Sequence, residues 1–341
     1  MALQKKNAYH VAVMGATGVV GQEMVEILEE RQFPVEALHL FASERSAGST
    51  LTFRNKDIVV QKLSEEVFNG IDIVLGATGG DLSKKFSPHA VKAGAVVIDN
   101  SSAFRMEPAV PLVVPEVNGH TLANHRGIIA NPNCSTAQLV MALKPLHDAA
   151  RIKRVVVTTY QSVSGTGKEA MEELMEQTRA LMNFQEVECK VYPQQIAFNC
   201  IVNWDADPET GYTEEETKIV NETRKIMGDE SIRVTATTTR VPVFRAHCEA
   251  VNIETEKKLL PNEARALLSA FPGVVVMDDP GRKLYPTPLD VAGQDDVYVG
   301  RVREDRSVPN GLNLWVVADN IRKGAALNSI QIAEELIKRY L

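Results

Sequence analysis

The hydrophobic pattern of this chain changes character near residue 150. Before it, short apolar runs at residues 10–14, 37–41, 71–75, 95–98 and 127–130 alternate with polar or helical stretches. Unalternating runs of four or five apolar residues suit strands covered on both faces, so the pattern predicts a parallel, doubly wound α/β sheet. Met24, Val25, Ile27 and Leu28 recur at helical spacing and predict a helix over 22–31; residues 81–93 form another helical stretch. Beyond residue 150 the runs become period-2: "RVVVTTYQSV", "RVTATTTRVPVF", "CEAVNIET", "DVYVGRVRED" and "GLNLWVVADN". Alternation predicts a mixed or antiparallel sheet with one covered face. Helical patterns interrupt it at 168–182, 214–227 and 262–271, and the chain closes on the amphipathic "AALNSIQIAEELIKRYL".

Length agrees with two textures meaning two domains, since 341 residues is long for one core at about 150 residues per domain. A formal net charge of −7 supplies no basic field for nucleic acid or acidic lipid, leaving small molecules as the expected partners. Four cysteines are too sparse for a disulfide framework, and none has the paired spacing of a zinc site, so a reducing compartment and no metal are expected. No apolar stretch approaches the ~18 residues of a membrane span. The first residues run directly into a strand-like segment without a signal-peptide core. A cytoplasmic protein is expected.

Two segments carry candidate chemistry. "GATGVVG" sets Gly15, Gly18 and Gly21 three apart between a strand and a helix. In that position glycines permit the sharp turn, the approach of backbone N–H groups to a pyrophosphate, and close helix packing. Where an acidic residue would meet the ribose of NAD, the chain reads "FASERSAGS". Ser43, Arg45 and Ser46 suit a 2′-phosphate, with Glu44 discordant, so NADP is the expected cofactor. The second segment, "NPNCSTAQLV", sets Cys134 at the start of a predicted helix. A cysteine is often a core residue, but a helix N-terminus favours the nucleophilic thiolate. Cys200 and Cys248 lie in apolar, strand-like stretches and read as core. His247, after the proline-containing strand, is one candidate base among seven histidines. "YQSVSGTGK" with Gln161 reads equally as a strand-to-helix loop.

The segments "GATGVVG", "ASERSAG", "IDNSSAFR", "PLVVPEVN", "NPNCST", "YQSVSGTG", "EEETK", "RVPVFRAH" and "KGAALNSIQIAE" follow one another over nearly the whole chain. In this order they resemble aspartate-semialdehyde dehydrogenase. The resemblance implies an N-terminal Rossmann domain (1–133 plus 323–341) and an α+β catalytic and dimerisation domain (134–322). The latter has a mixed sheet like the C-terminal domain of glyceraldehyde-3-phosphate dehydrogenase. The implied reaction is NADPH-dependent reduction of 4-phospho-L-aspartate to aspartate 4-semialdehyde and phosphate, on the route to lysine, methionine and threonine.

Carried over by the same resemblance, Cys134 forms a thioacyl enzyme, His247 is the acid–base group and Gln161 orients the substrate. Arg240 receives the α-carboxylate and Glu215 the amino group, while Arg105, Lys218 and Asn133 bind phosphate. Thr17, Val19 and Val20 join the three glycines at the cofactor, and Gly165, Gly167 and Asn328 neighbour the nicotinamide. A homodimer or tetramer is implied. Arg240 and His247 differ by seven, so one unbroken strand would send them to opposite faces; a bend at Pro242 or within 245–246 would relieve this. Two rivals stand. An N-acetyl-glutamyl-phosphate reductase usually reads "NPGCY" where this chain has "NPNCS". A non-catalytic dinucleotide-binding paralogue would have no use for Cys134, Gln161, Arg240 and His247 together.

Overall fold

The computed structural model describes residues 5–202 and 205–340. Contacts divide the chain into two compact units: the described residues up to Asn133 together with those from Ala325 onward, and Cys134–Gly324. The second crossing falls between Gly324 and Ala325, where a boundary between residues 322 and 323 was expected. The reason is local: Arg322–Ala326 is one π-helical turn, and Gly324 packs on Cys134.

In the first unit seven strands, β1 (Tyr9–Met14), β2 (Val35–Ala42), β3 (Thr50–Phe53), β4 (Lys56–Lys62), β5 (Ile73–Gly76), β6 (Val96–Asp99) and β7 (Ile128–Ala130), form one sheet ordered β3-β4-β2-β1-β5-β6-β7. All neighbours are parallel except β3 on β4. The apolar runs map onto the parallel strands. The β3–β4 hairpin was not expected, because "TLTFRNKDIVVQK" is largely exposed and reads as a polar loop. Its turn at Arg54 and Asn55 takes positive φ at both residues, the geometry of a tight hairpin. Strand order reverses at β1, which places the following glycine loop at the switch point where such sheets bind ligands.

Helix α1 (Val19–Glu30) starts three residues before the expected 22, inside the glycine motif. It buries Met24, Val25, Ile27 and Leu28. The C-terminal helix (Leu327–Arg339) returns to the same core, where Ile330, Ala333 and Leu336 cluster with Val11, Val13 and Leu28. Arg31, which caps the C-terminus of α1, clamps Glu334 through two hydrogen bonds of 2.8 and 2.7 Å. Helices α2 (Gly80–Lys92) and α3 (Pro115–Asn118) complete the unit.

The second unit begins with α4 (Cys134–Ala150) and adds α5 (Lys168–Met182), α6 (Glu214–Met227), α7 (Pro261–Ala270) and α8 (Pro288–Val291). Its strands are β8 (Ile152–Gln161), β9 (Ile201–Val202), β10 (Arg233–Arg240), β11 (His247–Thr255), β12 (Val274–Val276), β13 (Val297–Asp305) and β14 (Gly311–Ala318), ordered β12-β13-β14-β11-β8-β10-β9. The sheet is mixed: β8 runs parallel to β10 and antiparallel to β11. Burial alternates along β11, with His247, Glu249, Val251, Ile253 and Thr255 buried and Ala250, Asn252 and Glu254 half-buried. Helix α4 packs on this sheet. The architecture is therefore α/β, a parallel doubly wound sheet followed by a mixed-sheet unit.

One core assignment needs correction. Cys248 is buried as expected, but Cys200 is exposed. The apolar look of "AFNCIV" is misleading, because β9 begins only at Ile201. Ahead of it the chain turns at Phe198, φ +58, and only Ala197 and Ile201 of the segment enter the core. No described helix is long and apolar enough to cross a membrane. The described residues contain no group of three His, Cys, Asp or Glu that could hold a metal.

Candidate active site

Cys134 is the first residue of α4 and half-buried. Its helix is a long apolar rod, fully buried from Ser135 to Leu143, so the first turn is held rigidly. Gly324 closes on the same point: a Cβ there would lie 2.7 Å from Cys134 Cβ. Only a glycine leaves the cysteine side chain where it is.

Three strand ends meet beside this turn. Gln161 is the last residue of β8, and Arg240, the last of β10, is its register partner. On the other side Cys248 lies opposite Tyr160, which sets His247 next to Gln161. Arg240 and His247 thus belong to two strands flanking a third, and the parity argument against their meeting does not apply. A Cβ built on Gly165 would lie 3.0 Å from Arg240 Nη1 and 3.1 Å from His247 Nε2. Both side chains converge on one spot, and Gly165 is small because they do. Gly167 is glycine for another reason: it caps α5 at φ +117, where a side chain would be strained.

Gln161 donates to Ser135 Oγ at 3.0 Å and to Glu215 Oε1 at 3.3 Å. It therefore links the first turn of α4 to α6. Helix α6 starts where it does because Thr213 and Glu216 form a capping box, and Glu216 also accepts the Thr238 N–H of β10 at 2.9 Å. This presents Glu215 and Lys218 on one face, their charged atoms 3.9 Å apart, with Lys218 also 2.8 Å from Glu214. Arg240 donates to the Ser162 carbonyl at 2.6 Å.

His247 is fully buried. Its Nδ1 accepts the backbone N–H of Ser162 at 3.0 Å, so in the neutral ring the proton sits on Nε2, which has no hydrogen-bond partner among the described residues. Burial first, and the Arg240 charge second, hold its pKa well below the ordinary histidine value, with hydrogen bonding to the Ala246 backbone opposing. A buried, neutral imidazole with an unengaged Nε2, next to the Gln161 that is hydrogen-bonded to Ser135 in the first turn of α4, suits an acid–base partner for covalent catalysis.

In the first unit, Gly15 has φ +90 and a Cβ there would lie 2.4 Å from the Ala77 carbonyl; one on Gly21 would lie 2.2 Å from the Gly15 carbonyl. These two are glycine for packing. Gly18 meets only the Gly15 carbonyl, at 3.4 Å, so the protein's own packing does not demand a glycine there. It caps α1, where exposed N–H groups suit a phosphate. Thr17 Oγ1 donates to Ser46 Oγ at 3.3 Å and ties this loop to the one after β2, which exposes Ser43 and Arg45. The discordant Glu44 pairs with Lys62 at 3.0 Å. The set fits a dinucleotide.

Arg105 and Asn328 have structural duties as well. Arg105 donates to the Asn131 carbonyl at 2.9 Å and the Asn100 carbonyl at 2.7 Å. Asn328 donates to Asn131 Oδ1 at 2.7 Å and the Val113 carbonyl at 2.9 Å. Both hold the segment that leads through the buried Asn133 to Cys134. Sequence reasoning missed Ser135, Ser162, Ser164, Asn320 and Gly324. The available signal was polar residues closing apolar strands, in "YQSVS" and "WVVADN".

A nucleotide-type glycine loop on a parallel sheet and a cysteine–histidine site on a mixed sheet define a dehydrogenase of the semialdehyde class. Residues 10–125 match the family description "Semialdehyde dehydrogenase, NAD binding domain", and residues 143–323 match "Semialdehyde dehydrogenase, dimerisation domain". The aspartate-semialdehyde dehydrogenase of Aquifex aeolicus (strain VF5) is 54% identical, over 98% of this chain and 99% of that one. A crystal structure of aspartate semialdehyde dehydrogenase II from Vibrio cholerae, complexed with ASA, is 49% identical with a TM-score of 0.96, covering 98% of this chain and 100% of that one. The Candida albicans enzyme with NADP is 28% identical with a TM-score of 0.76, covering 96% of this chain and 98% of that one. The chain belongs to the aspartate-semialdehyde dehydrogenase family.

Proposed function

We propose that the chain catalyses NADPH-dependent reduction of 4-phospho-L-aspartate to L-aspartate 4-semialdehyde and phosphate, and the reverse oxidative phosphorylation. The observation that carries this is the strand-end cluster: Gln161 in register with Arg240, next to His247, and hydrogen-bonded to Ser135 beside Cys134. Cys134 attacks the acyl phosphate, a C–S bond forms and the C–O bond to phosphate breaks, leaving a thioester on the enzyme. Gln161 orients the carbonyl. NADPH, when bound at Gly15, Thr17, Gly18, Val19, Val20, Gly21, Ser43, Arg45 and Ser46, with Gly165, Gly167 and Asn328 near its nicotinamide, supplies the hydride. His247 gives a proton at Nε2 to the oxyanion that hydride transfer creates and takes it back as the C–S bond breaks and the aldehyde leaves.

Arginine suits a bidentate carboxylate, so Arg240 receives the α-carboxylate, and Glu215 receives the amino group. Arg105, Asn133 and Lys218 serve phosphate. The active form is a homodimer or tetramer in the cytoplasm. The test is phosphate-dependent NADPH formation from aspartate semialdehyde, run beside acetylglutamate semialdehyde and beside NAD. Preference for the acetylated aldehyde would transfer the reading to an N-acetyl-glutamyl-phosphate reductase.

A further inference from the structure

Behind His247, on the side away from Nε2, lies a closed set of polar groups that the reaction as described does not use. Ser162 Oγ, like Ser162 N–H, is 3.0 Å from Nδ1. The same hydroxyl lies 3.0 Å from Asn320 Oδ1. Asn320, 4% exposed, follows the end of β14. Its oxygen also accepts the Ala246 N–H at 3.0 Å, and its Nδ2 donates to Ser164 Oγ at 3.0 Å. Because the Ala246 N–H can only donate, it fixes which end of the amide is oxygen. The Ser162 hydroxyl must then be the donor to Asn320, and its remaining lone pairs are what it offers to Nδ1. Ala246 itself has φ +73, a strained conformation for a residue with a side chain, immediately ahead of His247. Asn320 therefore pins the backbone entry to β11 and polarises Ser162 with the same oxygen.

We propose that Ser162 and Asn320 are positioning residues for His247. Ser162 faces Nδ1 with a donor and an acceptor at equal distance, and Asn320, by taking the hydroxyl proton, makes the Ser162 oxygen an acceptor. When the ring is neutral with its proton on Nε2, Nδ1 is met by the Ser162 N–H. In the imidazolium both ring nitrogens carry protons, and the Nδ1–H is met by Ser162 Oγ, whose own proton is donated to Asn320 Oδ1; when the imidazolium gives up its Nε2 proton, the Nδ1–H form is left held by the same oxygen, with Nε2 free to take a proton back. Ser162 and Asn320 keep their own protons throughout, only Nε2 exchanges a proton with the reacting group, and the ring does not have to move between its acid and base roles. The charged group facing His247 is Arg240 from β10. Gln138 of α4 reaches the His247 carbonyl at 3.5 Å, and Glu249 lies two residues along the same strand.

This inference rests on His247 being the acid–base group of the proposed reaction, and the test separates the two. Steady-state rates with aspartate semialdehyde, phosphate and NADP are measured for Ser162→Ala, Asn320→Ala, the double variant and Asn320→Asp. Loss of a hydrogen bond to a charged ring predicts kcat lower by about ten- to a hundredfold in each alanine variant, with KM for all three substrates within about threefold. The double variant should be no worse than the poorer single one, because both act on one path. Asn320→Asp should move the acidic limb of the kcat profile to higher pH, since a carboxylate behind Ser162 favours the imidazolium. In parallel, protein carrying ¹⁵N-histidine, with His247 assigned by His247→Gln, is titrated without substrate. The His247 pKa should fall in the alanine variants and rise in Asn320→Asp. Multiplicative losses in the double variant, or an unmoved His247 titration in all variants, would overturn the relay. An inactive wild type with the expected titration shifts would instead sink the functional reading and leave the relay standing.

Discussion

Cys134 and Cys200 carry the same thiol in opposite settings. Cys134 is fixed at the head of a buried helix and hemmed in by Gly324; Cys200 is exposed in a loop. Cys134→Ala should fold normally, bind NADP and lose at least about a thousandfold in turnover, because no second nucleophile stands in its place; single-turnover kinetics and a melting curve check both halves. Cys200→Ala should leave the melting temperature within about 1 °C and turnover intact, since surface substitutions change stability by only ~0.5 kcal/mol. A marked loss of stability would mean the thiol packs in solution. Arg45→Leu should raise KM for NADP much more than KM for NAD, because the guanidinium is matched to a 2′-phosphate. Wild-type preference for NAD would mean that Glu44, despite its pairing with Lys62, governs the pocket.

At the scale of elements, the alternation of β11 explains both His247 and its neighbour Glu249. Both face the buried side, and Glu249 is fully buried with neither carboxyl oxygen hydrogen-bonded among the described residues. Burial pushes its pKa well above the carboxylate range, against a smaller opposing effect of Gln138. A carboxyl raised in this way is protonated in the fold and ionised in the unfolded chain once pH exceeds about 4.5. Its contribution is therefore most favourable below that pH and declines as pH rises towards the folded value. Glu249→Gln, which keeps the shape and removes the titration, should melt higher than wild type by a margin that grows from pH 5 to pH 8. A pH-independent difference between the two melting curves would contradict the assignment.

For the molecule as a whole, the proposed substrate has two anionic ends, and each end calls for its own cations. Arg240→Leu should chiefly damage use of the semialdehyde, and Lys218→Ala use of phosphate. Each effect should be about ten- to a hundredfold in kcat/KM, the value of one charge-assisted hydrogen bond of ~1.5–3 kcal/mol. Arg105→Leu should weaken phosphate selectively but also lower stability, because its guanidinium holds the Asn131 and Asn100 carbonyls. Initial rates with phosphate and semialdehyde varied independently are the check, and equal damage to both by Arg105→Leu and Arg240→Leu would refute the division.

The chain's own pattern carried the two sheets, their parallel and mixed character, most helices, the glycine loop and the placing of Cys134 at a helix start. Periodicity and turn chemistry are local, and these features are local too. The β3–β4 hairpin escaped because most of its residues are exposed and polar, with only Phe53 and Val60 buried, and Cys200 was misplaced because hydrophobic neighbours do not fix which side chains turn inward. Tertiary structure alone decided that Arg240 and His247 meet over Gly165, since they reach it from strands on either side of β8. It alone brought Asn320 of the β14 end to Ser162 and Ala246, about 75 to 160 positions away, and Gly324 to Cys134. Such contacts depend on strand order and on the close approach of backbones, and neither leaves a periodic trace in the order of residues.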